Sequence, residues 1–492
     1  SKFDLDYCVS LITNTIQQAC EKTMRRYNNR RTKRNPWHND RHTRELLQTQ
    51  KSLYRRFRRC YNENQRNILI EQYQSTRKQY REHLQKLKDD HLEKRFKSEN
   101  DIDNYYNVCN FLKHHDTMPA RTLANQPDPT STVKMLLDYL FPDDNSDDDT
   151  QQQMYIRDQV NNWVNIHHND DMPFHPVTCH ELINAINKFN NNTSPGFDGL
   201  APIICKQFVA NFPDIAVAIY NQCLQLKHVP YLWKISVIRI LPKPLKDDYT
   251  VPNSYRPIGL ISVLSRTLER IIERRLRGYL VANKLISEHQ YGFMAGKSTD
   301  HATYEIHNTL EQSMRQNGNT ALISLDIRGA FDHAWHPALI KRLVLLKVPM
   351  YLIFLLRDYL DDRHILTTFG GITAAKKTNR GTVQGSVLGP LLWNIIIDQF
   401  LRINFGKYVH TQAFADDITM IVSCDSKNYF NIIINDVMKS AYHWGQNMKL
   451  TFSESKTKLM YLSKRVRAPT YPVVTMNNLT IEPVDEVKIL GI

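Results

Sequence analysis

The spacing of apolar positions changes along the chain, and each change marks a different kind of structure. Between Glu21 and Lys97, Leu53, Phe57 and Tyr61, then Ile68, Ile70 and Tyr73, recur mostly at helical intervals in a polar background. No Gly or Pro interrupts after Pro36 until Pro119, so long amphipathic helices are expected here. From Phe141 to Gln153 the pattern lapses into PDDNSDDDTQQQ, expected to be an exposed acidic linker. Its aspartates lack the turn glycine and terminal glutamate of an EF-hand loop, so no metal site is expected there. Farther on, helical spacing over Glu181–Phe189 and Ile203–Leu226 alternates with β-prone runs at Ser236–Pro244, Ala321–Asp326 and Thr419–Ser423. Short strands between long helices predict a mixed α/β or α+β domain.

A length of 492 residues exceeds one compact core and predicts two or three domains. The formal charge of +14 favours a polyanionic partner, either nucleic acid or an acidic membrane surface. Cations gather in RRTKR (Arg30–Arg34) and YRRFRR (Tyr54–Arg59), where aromatics lie nearby. This reads equally as a solvated helical hairpin or as a basic arm gripping a template. Eight scattered cysteines without a C-x-x-C pair fit a reducing intracellular compartment better than a disulfide framework or structural zinc. No apolar run approaches the roughly 20 residues that span a bilayer, and SKFDLDYCVS has no signal-peptide core. Starting without Met and stopping at VKILGI, the chain is expected to be a fragment of something longer.

Carboxylates supply the candidate chemistry. ALISLDIRGAFDHAW puts Asp326 at the end of an apolar strand, before a turn through Gly329 and a helix after Pro337. An acid there needs a reason, because an unpaired buried carboxylate is strongly disfavoured; capping the next turn is the plain one. QAFADDITMIV sets Asp416 and Asp417 side by side between β-prone segments. Neighbours on a strand face opposite ways, so these two cooperate only at a bend, such as a hairpin turn. A strand-terminal Asp with a hairpin Asp pair is the oxygen-rich set that two-metal phosphoryl transfer requires.

At these residues the chain resembles the reverse transcriptases of non-LTR (LINE-type) retrotransposons, in particular the jockey-like and I-factor-like group. The resemblance runs from about Leu182 to the C-terminus through an ordered series of motifs. SPGFDGL (Ser194–Leu200) is similar to the extra N-terminal motif of the fingers. LPKP with Lys243 and SYRPIGL with Arg256 resemble the strands that clamp the triphosphate, and QYGFMAGKSTDHA (Gln290–Ala302) resembles the template-side motif. Asp326 and FADD are similar to the palm motifs. NRGTVQGSVLGPLLWNII (Asn379–Ile396) resembles the loop and helix beneath the nascent base pair, and WGQNMKLTFSESKTKLM (Trp444–Met460) the segment with the Lys-Thr pair.

The resemblance implies an α+β right-hand polymerase: fingers and an antiparallel palm sheet with helices, behind a basic helical N-terminal region, with the thumb largely missing. It implies a basic arm over 1–125, an acidic linker over 126–155, an N-terminal fingers extension over 156–223, and fingers and palm over 224–492 up to the palm–thumb junction. Asp326, Asp416 and Asp417 are the implied catalytic acids, with Ile327 beside them in the metal site; Asp326 and Asp416 are the expected direct ligands and Asp417 a supporting one. The cofactor is two Mg²⁺, replaceable by Mn²⁺.

Nucleotide contacts fall to Lys243, Arg256, Gly329, Ala330, Phe331, Gln384 and Gly385. Phe331 packs under the sugar and excludes a ribose 2′-hydroxyl, and Gln384 offers both a donor and an acceptor. Gly381, Gly385 and Gly389 are expected to let the backbone approach a ligand. Lys456 is the implied general acid, and Ser194, Gly196, Gln290, Gly292, Phe293, Lys297 and Phe414 the template and primer contacts. The implied partners are template RNA, primer or target DNA, dNTPs and an element-encoded RNA-binding protein, with no membrane. The expected setting is an intracellular, cytoplasmic ribonucleoprotein acting in the nucleus.

PWHNDRH near Trp37 resembles the basic segment after an endonuclease, but no endonuclease motif occurs and no nuclease activity is expected. The alternative is a degenerate or domesticated protein that binds nucleic acid without catalysis. Against decay stand the intact Asp326, Asp416, Asp417, Gln384 and Arg256. A group II intron maturase fits the palm, but not the basic arm or the Phe of FADD.

Overall fold

A computed structural model describes residues 1–24, 40–59, 63–96, 128–168, 170–244, 246, 248–316, 319–369, 372–453, 456–462, 472–477 and 479–491. Arg30–Arg34, residues 36–39 of PWHNDRH, Cys60, Tyr61 and Cys109 lie outside these residues. The chain divides into two compact units. One joins residues 16–123 with Leu241–Arg256; the other holds Ser1–Thr15, Ala124–Ile240 and Pro257–Ile492.

Helix α1 spans Lys2–Thr23. In the smaller unit, α2 (Arg41–Arg59) and α3 (Glu63–Phe96) pack on each other, as the apolar spacing predicted. Tyr54, Phe57 and Tyr73 join rings across the pair at 5.2–5.8 Å, and Arg58 lies 5.4 Å from the Tyr54 ring. The exposed cations thus flank a small aromatic seam. The basic arm begins later than Ser1, however. Leu5 and Val9 are buried, and Asp6 accepts from the Tyr231 amide at 2.7 Å beside His228 at 3.1 Å, so the first fifteen residues belong to the larger unit.

The larger unit continues with α4 (Pro129–Leu140) and α5 (Gln151–His167). The loop joining them is the predicted exposed linker, and Asp143, Asn145, Ser146, Asp147 and Asp148 are exposed in it, but two of its acids turn inward. Asp144 and Asp149 have side chains only 5% and 1% exposed. Arg157 contacts them at 2.8 and 2.5 Å, Lys449 contacts both, and Trp335 Nε1 donates to Asp144 at 3.0 Å. Burial pushes both carboxyls up, but Lys449 and Arg157 outweigh it and hold them below the ordinary range. Composition read the charge correctly and missed its partners, which lie 8 to 305 positions away. Thr150 then starts α5 with a capping box closed by Gln153.

After α6 (Cys179–Asn187), the expected single helix over Ile203–Leu226 is two, α7 (Pro202–Asn211) and α8 (Pro213–Leu226), bent by 104°. Phe212 precedes Pro213, whose ring disfavours helical backbone at that position. Among the described residues no single helix is long and apolar enough to cross a membrane.

Strands β1 (Ile235–Pro242) and β2 (Tyr255–Ile261) precede α9 (Val263–Ala282) and α10 (Thr299–Gln316). Next come β3 (Asn319–Leu325), α11 (His336–Leu345), α12 (Met350–Leu360), β4 (Arg363–Phe369), β5 (Ile372–Thr378) and α13 (Gly389–Leu401). The chain closes with β6 (Val409–Phe414), β7 (Asp417–Cys424), α14 (Lys427–Asn447), β8 (Lys458–Leu462) and the hairpin of β9 (Val474–Met476) and β10 (Leu479–Ile481).

One four-stranded sheet has the order β2-β1-β4-β5, with β1 parallel to β4. The other, β6-β7-β3-β8, is wholly antiparallel. As an inner strand, β3 reads ALISL with nearly continuous burial, and α10 packs Ile306 against Leu322 and Ile421. Pro390 starts α13, whose LLWNIII run is buried throughout. Helices with mainly antiparallel sheets agree with the α+β expectation.

Candidate active site

The register of the antiparallel sheet assembles the candidate acids. Leu325 pairs with Ile418, the last pair of β3 with β7, and Phe414 pairs with Asp417, the last pair of the β6–β7 hairpin. One further step along β3 sets Asp326 across from Asp417, with Asp416 in the turn between β6 and β7. The DD pair therefore sits at a hairpin end, where adjacent residues escape strict strand alternation. Asp417 is exposed, and Asp416 and Asp326 are half-buried. On the other side of β3 the β8 register brings Lys456 opposite Asp326, and its Nζ donates to the two carboxylate oxygens at 3.0 and 3.2 Å. Ile327 is buried and bridges to Phe452. Among the described residues no three His, Cys, Asp or Glu side chains are gathered closely enough to hold a metal ion as they stand. The backbone aligns the acids, and their side chains are not drawn together.

The FADD turn is braced from beneath. Ala415 has φ 57°, a left-handed conformation that costs a residue with a Cβ and needs support. Gln290 Oε1 accepts from the Ala415 amide at 3.2 Å and the Gly292 amide at 2.9 Å, while Trp393 Nε1 donates to the Ala415 carbonyl at 3.1 Å. A Cβ on Gly292 would stand 2.1 Å from the Ala415 nitrogen. Gln290 and Gly292, expected to touch template or primer, are both buried here. The enclosed glutamine satisfies backbone groups of the turn.

The other expected template-side residues are dispersed. Lys297 donates to the Gln290 carbonyl at 3.0 Å and to the Glu288 carbonyl, and lies 4.6 Å from the Tyr291 ring. Phe293 is exposed, and Phe414 closes the β6–β7 pairing. Ser194 is buried, and a Cβ on Gly196 would meet the Ser262 nitrogen at 2.3 Å. Nearby Asp198, overlooked in the sequence, accepts from Ser262 Oγ at 2.5 Å, so SPGFDGL fastens its loop to the start of α9.

Gly329, Ala330 and Phe331 follow the acid strand. Gly329 is exposed with φ 53°, and Ala330 is buried. The Phe331 ring is partly open, edge-on to Phe293 at 6.0 Å and tilted on Trp393 at 5.9 Å. Next to this turn, burial and then Arg380 push His333 down to about 4, leaving the ring neutral at pH 7. Thr382 N donates to the Phe331 carbonyl at 2.7 Å, and Gln384 Nε2 to Asp332 at 2.9 Å, so the QG loop lies against the residues just after Asp326.

Here the glycine expectation changes. A Cβ on Gly385 would come 2.4 Å from the Gly259 carbonyl oxygen, and one on Gly381 2.4 Å from the Asp332 carbonyl oxygen, while Gly389 meets only ordinary contacts. Protein backbone already demands the two tight glycines, without a ligand. Lys243 and Arg256 belong to the smaller unit. Lys243 Nζ donates to the Asn253 carbonyl at 2.8 Å, and Arg256 is half-buried in β2.

Residues 241–492, which are 252 of the 492, match the family described as reverse transcriptase (RNA-dependent DNA polymerase). The chain belongs to the reverse transcriptase family. Among its relatives is a probable RNA-directed DNA polymerase from transposon X-element of Drosophila melanogaster, 29% identical over 70% of this chain and 37% of that protein. A probable RNA-directed DNA polymerase from transposon BS of the same species is 26% identical over 65% and 36%. The RNA-directed DNA polymerase from mobile element jockey, also of D. melanogaster, is 26% identical over 68% and 37%. This reverse transcriptase chain therefore spans little more than a third of the length of these relatives. Their names agree with the expected likeness to non-LTR elements of the jockey kind.

Proposed function

We propose that this chain is the fingers and palm of an RNA-directed DNA polymerase that copies the RNA of a non-LTR retrotransposon into cDNA, primed on nicked target DNA. The register that sets Asp326 across from Asp417, beside Asp416 in a braced turn, is the observation that carries this reading. Three carboxylates, one exposed and two half-buried, are the hard-oxygen donors that suit Mg²⁺ or Mn²⁺. When bound, two such ions supply Lewis-acid charge at the primer 3′-hydroxyl and the triphosphate.

The chain's own groups have separate tasks. Asp326 and Asp416 hold the cations and Asp417 supports them. Phe331 lies under the sugar and excludes a 2′-hydroxyl, and Gln384 and Gly385 face the nascent pair. Lys456 donates a proton to departing pyrophosphate once it releases Asp326. Lys243 and Arg256 are assigned to the triphosphate on the resemblance alone. Template RNA, target DNA and dNTPs are the partners, joined by an RNA-binding protein of the element in a ribonucleoprotein that acts in the nucleus. A basic arm over 16–125 grips RNA.

Mg²⁺-dependent extension of oligo(dT) on poly(rA) tests this. Asp416→Asn is expected to lower it by roughly 1,000-fold, the several kcal/mol that a bound metal contributes, with RNA affinity nearly unchanged. Retained extension sinks the metal assignment. A wild-type chain that binds RNA but extends nothing turns the reading toward a non-catalytic binder.

A further inference from the structure

Glu269 lies on α9 and is 1% exposed. Burying a carboxylate is costly unless donors replace its water. Three donors do so: Tyr359 Oη reaches Oε1 at 2.8 Å, and Ser386 Oγ and the Val387 amide reach Oε2 at 2.9 and 2.6 Å. Tyr359 and Ser386 also touch each other at 2.9 Å. Ser386 Oγ in turn accepts from the amides of Leu388 and Gly389 at 3.0 and 3.1 Å, where α13 begins. A carboxylate at a helix start is favoured by the partial positive charge there.

The residues held this way directly follow Gln384 and Gly385. On the preceding side, Gln384 is fixed by its carbonyl, which accepts from Gly259 N at 2.6 Å, and by its amide on Asp332. Gly385, with φ 114°, separates the two sets of anchors. Without Glu269 the strip would keep its first anchor and, of the second, only the Tyr359–Ser386 contact. Tyr359 is itself fixed by Arg363, buried 4.6 Å from its ring and donating to its carbonyl. Helices α9 and α12 thus both reach the QG loop through one enclosed polar cluster.

We propose that Glu269, with Tyr359 and Ser386, forms a positioning unit that fixes the Gln384–Gly385 strip for the incoming nucleotide. This rests on the reading above that the strip faces the dNTP. Glu269 touches no reacting atom, so its loss alters how well nucleotide is held and leaves the chemical step intact.

Glu269→Gln keeps the shape but turns one acceptor into a donor facing donors. In primer extension the KM for dNTP is expected to rise about ten-fold, with kcat and the KM for primer–template little changed. Tyr359→Phe removes one donor and is expected to shift the same constant about three-fold, which keeps the test open if Glu269→Gln fails to fold. By hydrogen exchange, the amides of Val387, Leu388 and Gly389 should exchange about ten-fold faster in either variant, with those of β3 and β7 unchanged. Unchanged exchange at the three amides, or kcat falling while the KM for dNTP stays fixed, overturns the proposal. A wild-type chain that extends no primer overturns the polymerase reading instead, and exchange at those amides still decides whether Glu269 anchors the strip.

Discussion

Two clusters of aspartate in this chain have opposite fates. In PDDNSDDD, Asp144 and Asp149 turn inward and share Arg157 and Lys449, with Trp335 as a further donor. In FADD, Asp416 and Asp417 sit at the end of a hairpin, with Asp417 exposed and Asp326 across the sheet. The first cluster has cations from the protein built around it. The second is presented on rigid strands and held through its backbone by Gln290 and Trp393. Acid density alone therefore does not tell a buried ion-pair cluster from acids presented at a hairpin end. Lys456 belongs to the open site, since its contact with Asp326 is largely exposed and stabilises little.

The sharpest way to break the contrast is to neutralise one acid from each cluster. Asp326→Asn is expected to lower primer extension by roughly 1,000-fold with an unchanged melting temperature. Asp149→Asn is expected to cost about 3 kcal/mol of stability, read by denaturant unfolding, with normal activity in the fraction that stays folded. If Asp149→Asn removed activity without loss of stability, the inward cluster would be functional after all.

Acid separates the clusters too. Asp144 and Asp149 sit below their ordinary values when folded, so the unfolded chain binds those protons more readily. Their stabilisation is present above roughly pH 3.9 and fades as pH falls through the lowered values. Arg157→Met should flatten that acid limb of the stability curve, and an unchanged limb would point to other carboxylates. Gln290→Ala should reduce extension about ten-fold by loosening the turn under Asp416, while Mn²⁺ affinity falls only slightly. The smallest expected change is a few-fold rise in ribonucleotide incorporation for Phe331→Val; an unaltered dNTP/NTP ratio removes the gate role.

The local signals were readable. Apolar runs in β3 and α13, the hairpin at FADD and the pairing of α2 with α3 all follow from periodicity and turn chemistry within a short window. What stayed hidden involves partners far along the chain. Glu269 reads as one more charge in ERIIERR until the fold brings it to Ser386, 117 positions away. The bond from Gln290 to Ala415, 125 positions away, likewise shows only in the fold. Asp144 and Asp149 looked solvated because composition cannot reveal that Lys449 reaches them. Only the break at Phe212 could have been found locally, from the proline that follows.

The crossing of Gly385 over Gly259 has a consequence for how this site can change. Neither position has room for a methyl group, since a Cβ on Gly259 would stand 2.1 Å from Val383 Cγ1 and one on Gly385 would enter the Gly259 carbonyl. A library randomised at both positions should return glycine almost exclusively, whatever substrate is selected for. Adaptation to altered nucleotides must then come from the side chains around the crossing, Phe331 and Gln384, while the crossing itself stays fixed through the search.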